Sequence, residues 1–188
     1  MQSTRRVLVA SAAAALVGLS FTTTKPAGAA TAAELTANAK TTLASLYAKQ
    51  PQARKLGEKA RAILVFPRII KIGLIAGGQS GDGVLLQNGR AINYYNISAG
   101  SFGLQAGAQT FSYVMFFMNE EALQYLDRSD GWSVGSMPNV VVANEGIARS
   151  ISSTTLTEDV YAFPFGLQGL MAGVGLEGSK ITRINPPR

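Results

Sequence analysis

Residues 84–95 read VLLQNGRAINYY, two runs of strand-forming residues joined by Asn88 and Gly89. Val, Ile and Tyr favour the extended conformation, because their side chains pack well on a pleated surface. An Asn-Gly pair favours the two-residue turn of a β-hairpin, since both turn positions need a positive φ angle. The stretch therefore predicts two antiparallel strands joined at Asn88 and Gly89.

The same strand-like texture begins at Ile63 and continues towards the C-terminus. Val, Phe and Tyr are frequent in three later stretches, which predict strands at residues 111–118, 140–143 and 160–165, and alternating apolar residues predict a further strand at 170–184. Asn119 is placed to cap a short helix that runs through Leu126. Residues 77–83, GGQSGDG, precede a strand-like run rather than a helix, so they predict a flexible hairpin and not a phosphate-binding loop.

Two glycine-rich and almost uncharged runs, residues 100–109 and 169–178, stand among these strands. In the second run, apolar side chains fall on one side of a strand and glycines on the other. The apolar side is formed by Leu170, Ala172, Val174 and Leu176. On the other side Gly173 and Gly175 leave the backbone without side chains. Glycine weakens a strand, so its repeated use indicates a bend, a bulge or the close approach of another surface. The runs predict a tightly packed scaffold rather than a catalytic loop.

Helical spacing of apolar residues marks the region before these strands. Residues 30–50 predict a helix whose start carries a capping box of Thr31 and Glu34, and residues 52–61 predict a second short helix after Pro51. Helices followed by many short strands predict an α+β fold, with N-terminal helices packed on a mostly antiparallel, glycine-rich β-sandwich or partial barrel. No linker divides residues 30–188, so we expect a single domain there.

Residues 1–29 have the features of a secretory signal peptide. Arg5 and Arg6 precede an apolar, small-residue stretch, and Ala27-Gly28-Ala29 is a small-residue cleavage site. The surrounding residues 4–8 are similar to a twin-arginine signal, but adjacent arginines also occur in ordinary signals, so both export routes stay open. The expected localisation is periplasmic or secreted, with cleavage near Ala29.

The composition excludes several classes of chemistry. The chain has no histidine and no cysteine, so Ser-His-Asp and Cys-His nucleophile systems, ordinary zinc sites, disulfides and lipid anchors on cysteine are excluded. Without Arg5, Arg6 and Lys25, the 17 basic residues fall to 14 against 11 acidic ones, a net charge of +3. This modest charge does not indicate nucleic acid as a partner.

Four longer motifs resemble a known family. They occur in the order KARAILVFP (59–67), DGWSVG (130–135), DVYAFPFG (159–166) and GSKI (178–181). Together they are similar to the SYLF lipid-binding family, specifically its bacterial secreted branch, over roughly residues 35–185. The resemblance implies membrane-lipid binding, with actin association added in some eukaryotic members.

Positive charge is concentrated where the helices give way to strands. Six cations occur within eighteen residues, and only Glu58 opposes them. Basic residues near an anionic bilayer contribute roughly 1 kcal/mol each, and apolar side chains inserted between them add to this. The candidate lipid-binding residues are Arg54, Lys55, Lys59, Arg61, Arg68, Ile69, Ile70 and Lys71. The alternative to a lipid-binding surface is purely structural: a solvated helix face followed by an ordinary core strand.

Two further groups have both a functional and a structural interpretation. Nine aromatic residues form either an acyl-chain pocket or simply the core, and the core is favoured: Phe102, Phe111, Tyr113, Phe116, Phe117, Trp132, Tyr161, Phe163 and Phe165. Seven carboxylates are available for acid–base work, but helix-start and turn roles are favoured: Glu120, Glu121, Asp127, Asp130, Glu145, Glu158 and Asp159.

The sequence therefore predicts an exported, non-enzymatic lipid-binding protein that docks on anionic phospholipid membranes through its basic, amphipathic N-terminal region. No catalytic residue, metal site or cofactor is predicted. Two alternatives stay open: a structural or protein-binding envelope module, with a host partner among the options, and a carboxylate-dependent hydrolase. The lipid, the oligomeric state and the biological process are open as well.

Overall fold

The computed structural model describes residues 30–73, 76–102, 107–128, 131–134, 140–142, 158–169 and 178–188. Two helices precede the sheet, and a third short helix interrupts it, so the predicted α+β class is confirmed. The helices are α1 Ala32–Lys49, α2 Pro51–Lys59 and α3 Glu120–Gln124, the last followed by a 3-10 turn at Tyr125–Asp127. The strands are β1 Ala62–Gly73, β2 Ala76–Gln87, β3 Arg90–Phe102, β4 Gly107–Phe117, β5 Trp132–Ser133, β6 Val140–Val142, β7 Val160–Gly169 and β8 Lys180–Ile184.

The eight strands form one curled sheet in the order β5-β8-β3-β2-β1-β4-β7-β6. Among these strands the pairings are antiparallel, except that of β6 with β7. Trp132 on β5 and Phe117 on β4 lie five strand positions apart, which in a flat sheet is about 24 Å. Their ring centroids are 5.9 Å apart, so the sheet curls until these strands meet. Of the two architectures predicted, the structure is the partial barrel.

Curling divides the core into two layers. The inner layer fills the curl and contains Phe66, Tyr95, Tyr113 and Trp132. The outer layer lies between the convex face of the sheet and the helices α1 and α2. The predicted core role of the aromatic residues is confirmed for those that are buried: Phe111, Tyr113, Phe116, Phe117, Trp132, Tyr161 and Phe163.

The helices begin and end where local chemistry predicts. Thr31 and Glu34 form the expected capping box, which satisfies backbone N–H groups that the first turn of α1 leaves unpaired. Pro51 ends α1 and also occupies the first turn of α2, where its missing N–H has no cost. The Asn119 side chain accepts a hydrogen bond from the Ala122 N–H at 2.8 Å and caps α3.

The Asn-Gly hairpin is also confirmed. β2 and β3 pair antiparallel up to Gln87 and Arg90. Asn88 and Gly89 have φ angles of 50° and 74°, the left-handed values that the predicted turn requires.

The prediction for residues 77–83 was wrong. They form no flexible hairpin but lie within β2, paired with β1 on one side and β3 on the other. Gly81 and Gly83 serve close packing, because a side chain at Gly83 would collide with the Phe66 ring and one at Gly81 with the Arg68 carbonyl. The run 100–109 covers the end of β3 and the start of β4, while the predicted alternation at 170–177 lies outside the described residues.

Candidate functional site

The helices cover only part of the convex face of the sheet. Val65, Val84 and Val114 are neighbours across β1, β2 and β4, and all three are buried in the layer beneath the helices. Beyond them the strands continue, and the convex face becomes accessible at Ile70 and Ile72. These side chains are 43% and 57% exposed, and with Ile92 they are the exposed large hydrophobic residues of the part that the structure describes.

A β-bulge in β1 sets which side chains reach this exposed face. Phe66 pairs with Tyr113 and Ile69 pairs with Phe111, so Pro67 and Arg68 together oppose Ser112. The Ser112 hydroxyl donates to the Pro67 carbonyl oxygen at 2.7 Å and holds the irregular backbone. The extra residue reverses the alternation of β1, since each residue added to a strand moves the following side chains to the other face.

Because of this reversal, Ile69 points inward and is fully buried in the inner core layer. Ile69 was among the candidate lipid-binding residues, and its burial removes it from any membrane contact. Ile70 faces outward, and Ile72, which was not a candidate, joins it on the same face. Period-two spacing from Ile70 was the available signal for Ile72.

Arg68 lines the same open depression as Ile70 and Ile72. The floor of this depression is small and smooth, since Gly78 pairs with Ile72 and Ser80 pairs with Ile70. We call Arg68, Ile70, Ile72, Gly78 and Ser80 the outer patch. Asp82 also borders it, and its carboxylate accepts a hydrogen bond from the Asn96 amide at 2.8 Å.

Four other candidate cations lie at the opposite end of β1. Arg54, Lys55, Lys59 and Arg61, here called the helix cations, are exposed on α2 and just after it. Ala53 and Leu56 turn the other face of α2 into the outer core layer. Among the described residues the helix cations form no ion pair. The structure therefore keeps these four together, as the spacing on α2 predicts.

Arg54 is the helix cation with a specific contact. Its guanidinium carbon lies 5.3 Å from the centroid of the Tyr47 ring, which is a cation–π arrangement. Burial raises the pKa of the Tyr47 hydroxyl, and Arg54 partly offsets this rise. The phenol therefore stays neutral at physiological pH, and the charge of Arg54 is not cancelled.

The outer patch and the helix cations are separate surfaces. Arg61 and Arg68 are seven residues apart on an extended strand, which is about 23 Å. Lys71 is separated in another way, because it shares the inner face with Ile69 and not the outer face with Ile70. The predicted basic cluster is thus divided into three places: α2, the outer patch and the inner face of β1.

Carboxylates in the described residues have structural surroundings. Glu120 and Glu121 lie in the first turn of α3, where the helix dipole favours negative charge. Asp159 accepts a hydrogen bond from the Asn119 amide at 2.7 Å, and Asp127 lies 3.9 Å from Arg183. Asp130 and Glu145 lie outside the described residues.

The described residues lack both a cluster of metal ligands and a helix able to span a membrane. They contain no group of three or more His, Cys, Asp or Glu residues placed to hold a metal ion. None of their helices has the length and apolar character needed to cross a bilayer.

The fold and the surface define a class: an α+β domain with a curled antiparallel sheet, two helices on its convex face and an exposed patch of isoleucine and arginine. Residues 98–185 match the family described as Ysc84, Las17-binding protein actin regulator. The resemblance to the SYLF family is confirmed over this range, which includes three of the four motifs that carried it. A comparison with curated proteins found no match.

The matched range begins within β3 and ends just after β8. α1, α2, β1 and β2 precede it, and so do the helix cations and the outer patch. The family match therefore covers only the later strands of the sheet, whereas the candidate site depends on the geometry described above.

Proposed function

We propose that this protein is an exported, non-enzymatic domain that binds the surface of anionic phospholipid membranes. The outer patch is the contact surface, and Ile70 and Ile72 enter the interfacial region of the bilayer. The observation that carries this proposal is the exposure of two large apolar side chains on one strand face, beside Arg68.

The composition of the outer patch suits a membrane surface. Full burial of an isoleucine side chain is worth roughly 1.5–3 kcal/mol, and these two are already partly covered, so the gain for each is smaller. A cation close to an anionic bilayer adds roughly 1 kcal/mol. A patch of this size supports reversible, peripheral binding.

The helix cations support the proposal in a different way. α2 lies on the convex side of the sheet, which is also the side of the outer patch. Their positive charges add to the potential on this side and attract an anionic surface before contact is made. Neutralising them should therefore reduce binding without abolishing it.

Further support comes from the family and from the sequence. The SYLF family is related to lipid binding and actin regulation, with which a lipid-binding role is compatible. The absence of histidine and cysteine and the structural roles of Glu120, Glu121 and Asp159 favour a non-enzymatic protein. Arg5, Arg6 and the small residues at 27–29 support export and membership of the secreted bacterial branch.

Co-sedimentation with vesicles tests the proposal. Residues 30–188 would be mixed with vesicles of phosphatidylcholine alone or with added phosphatidylglycerol. The variant Ile70→Ser with Ile72→Ser should pellet less, and Ile92→Ser is the matched control because Ile92 is also 45% exposed but lies near the β2–β3 turn. Circular dichroism would establish that each variant keeps the fold.

Two results would overturn the proposal: equal pelleting with and without phosphatidylglycerol, or unchanged pelleting of the Ile70/Ile72 variant. The family description names a Las17-binding protein, so a protein partner is the second candidate function. That candidate is favoured if vesicles are not bound and the Ile70/Ile72 variant loses a partner that the Ile92→Ser control retains.

A further inference from the structure

Two opposite charges border the outer patch without pairing. Arg68 on β1 and Asp82 on β2 line the same depression. They lie on neighbouring strands, and the β1–β2 register sets the bulged residues 66–69 opposite residues 81–83. In the part of the chain that the structure describes, neither side chain forms an ion pair. A cation and an anion are therefore both available to a ligand on one surface.

The Asp82 carboxylate is bound from the β3 side, away from Arg68. Asn96, its partner in register on β3, donates from Nδ2 to Asp82 Oδ1 at 2.8 Å. The same amide nitrogen lies 3.2 Å from Ser80 Oγ and 3.3 Å from the Gly81 carbonyl oxygen. These contacts orient the carboxylate, and the described residues give its second oxygen, Oδ2, no hydrogen bond.

Neither strand stability nor attraction to anionic lipids explains a carboxylate at this position. Asp82 lies in the middle of β2, and aspartate is depleted in strands because its side chain competes for backbone hydrogen bonds. A carboxylate beside Arg68 also repels an anionic surface and offsets the charge of the arginine. An oriented carboxylate with an open oxygen is suited instead to a ligand that carries a positively charged hydrogen-bond donor.

The outer patch changes from polar to apolar along the strands. Arg68 and Asp82 stand at the end nearer the helices, and Ile70 and then Ile72 follow towards the strand ends. Arg68 and Ile72 are four residues apart on an extended strand, which is about 13 Å. A polar end and an apolar end at this separation match the head group and the upper acyl chains of one phospholipid.

The floor beside Ile72 is free of side chains although internal packing does not require this. Gly78 is in register with Ile72 on one side and with Gly100 on the other. A Cβ atom on Gly100 would meet no atom within 4 Å, and one on Gly78 would lie 3.4 Å from the Ala99 carbonyl oxygen. Since glycine weakens a strand, these two outward-facing glycines indicate the close approach of another molecule.

We propose that the outer patch selects phospholipids whose head group joins a phosphate to a primary ammonium, the chemistry of phosphatidylethanolamine. The Arg68 guanidinium pairs with phosphate oxygens, and the ammonium donates to Asp82 Oδ2. Ile70 and Ile72 contact the acyl chains. That the ligand is a membrane lipid rests on the proposed function: anionic lipids provide the general attraction, and Asp82 provides the choice among zwitterionic lipids.

Vesicles that differ in the N–H donors of one lipid test this selectivity. Two sets would contain the same fraction of phosphatidylglycerol, with the remainder either phosphatidylcholine, which has no N–H group, or phosphatidylethanolamine. The full chain should bind the phosphatidylethanolamine set about two- to fivefold more tightly, the gain expected from one exposed charge pair. Equal binding of the two sets would overturn the proposal.

Substitution of Asp82 separates recognition from a general effect of the bilayer. Asp82→Asn keeps an oxygen that accepts from Asn96 but removes the charge. The variant should bind the two sets equally, and should bind the phosphatidylcholine set at least as tightly as the parent, which an unfolded protein would not do. Glu58→Gln is the matched control, because it removes a carboxylate from an exposed position on α2 and should keep the preference. A preference that persists in Asp82→Asn would refute the role of Asp82.

Arg68→Gln tests the other half of the site. Both zwitterionic lipids carry the phosphate, so this variant should bind both sets more weakly while the ratio between them stays unchanged. A loss of the ratio in Arg68→Gln, with Asp82→Asn unaffected, would contradict the assigned division of roles.

Soluble probes distinguish a lipid from a free phosphate ester. Amide NMR signals of Ser80, Asp82 and Asn96 in the full chain should move more with phosphoethanolamine than with phosphocholine. Dihexanoyl-phosphatidylethanolamine should bind at least about tenfold more tightly than phosphoethanolamine, because its chains contact Ile70 and Ile72. Equal affinity of these two compounds would reject a lipid as the ligand.

These measurements also separate the proposal from the proposed function. Vesicle binding that depends on phosphatidylglycerol and on Ile70 and Ile72, but shows no preference for phosphatidylethanolamine, would reject the selectivity and leave membrane docking intact. Movement of the three amide signals with phosphoethanolamine but not phosphocholine, without any vesicle binding, would support the site and reject membrane docking.

Discussion

The carbonyl oxygen of Arg68 lies 2.5 Å from the position that a Cβ atom on Gly81 would occupy. The same position is 2.8 Å from Ile69 Cγ1 and 3.0 Å from Ile69 Cα. The bulge of β1 thus packs directly against the backbone of β2 at Gly81, which has no side chain. Because the nearest atom is a backbone oxygen, a change of the Ile69 rotamer alone cannot relieve the contact.

Gly81→Ala should therefore destabilise the protein. The added methyl group forces β1 and β2 apart, and overpacking of this kind costs about 1–3 kcal/mol. Gly100→Ala is the matched control, because Gly100 also lies in the sheet but has no atom within 4 Å of its Cβ position. Urea unfolding should place Gly81→Ala below the parent and Gly100→Ala at or slightly above it. Equal stability of the two variants would contradict the close approach.

The turn at Asn88 and Gly89 yields a purely conformational prediction. Gly89 has a φ angle of 74° and no atom within 4 Å of its Cβ position. Gly89→Ala should lower the free energy of unfolding by about 1–2 kcal/mol through left-handed strain alone. Asn88→Gly should be tolerated, since glycine adopts the φ angle of 50° without strain. Thermal unfolding would measure both, and a neutral Gly89→Ala would argue against this turn type.

Stability at alkaline pH should depend on Tyr113. Burial raises the pKa of its hydroxyl well above the ordinary value of 10.0, so the folded state retains a proton that the unfolded state loses. The contribution is intact below pH 10 and decreases as the pH rises further, with a slope of about 1.4 kcal/mol per pH unit for one proton. Tyr113→Phe should reduce that slope.

Part of the alkaline loss should persist in Tyr113→Phe, because burial also raises the pKa of Tyr47 and of Tyr95. Denaturant titrations between pH 8 and about pH 11 would measure the slopes. An identical decline in the parent and in Tyr113→Phe would show that Tyr113 ionises equally in the folded and unfolded chains.

Membrane affinity should depend on where the helix cations lie and not only on the net charge of the protein. Lys55→Gln with Lys59→Gln should weaken binding to phosphatidylglycerol vesicles by up to about thirtyfold at low salt, given roughly 1 kcal/mol per cation. Lys40→Gln with Lys49→Gln removes the same charge from exposed positions on α1. A similar loss in both pairs would indicate a response to net charge alone, and added salt should reduce the difference between them.

Local elements of the fold were predictable because their causes are local. The capping box of Thr31 and Glu34, the Asn88-Gly89 turn and the cap at Asn119 each depend on residues within four positions of one another. The partial barrel was predicted only as one of two architectures. The contact between Phe117 and Trp132 distinguishes them, and it joins strands that are far apart in the sheet.

The candidate site was predicted less completely, and the bulge is the physical reason. An unbroken alternation after Phe66 would place Arg68 and Ile70 inward and Ile69 outward. Pro67 and Arg68 opposing Ser112 reverse this order, which buries Ile69, exposes Ile70 and Ile72 and turns Lys71 inward. The sequence also did not predict that Lys71, Gln79 and Gln109 are neighbours on the inner face, since only strand register brings them together.

The amino-acid sequence alone determined the two amphipathic helices, the Asn88-Gly89 hairpin and the α+β class. It also excluded chemistry that requires histidine or cysteine side chains. These properties follow from neighbouring residues or from composition. The separation of the cations into three surfaces, the exposure of Ile70 and the enclosure of Gln109 emerged only from folding. They depend on one added residue in β1 and on sheet curvature, which bring distant segments into contact.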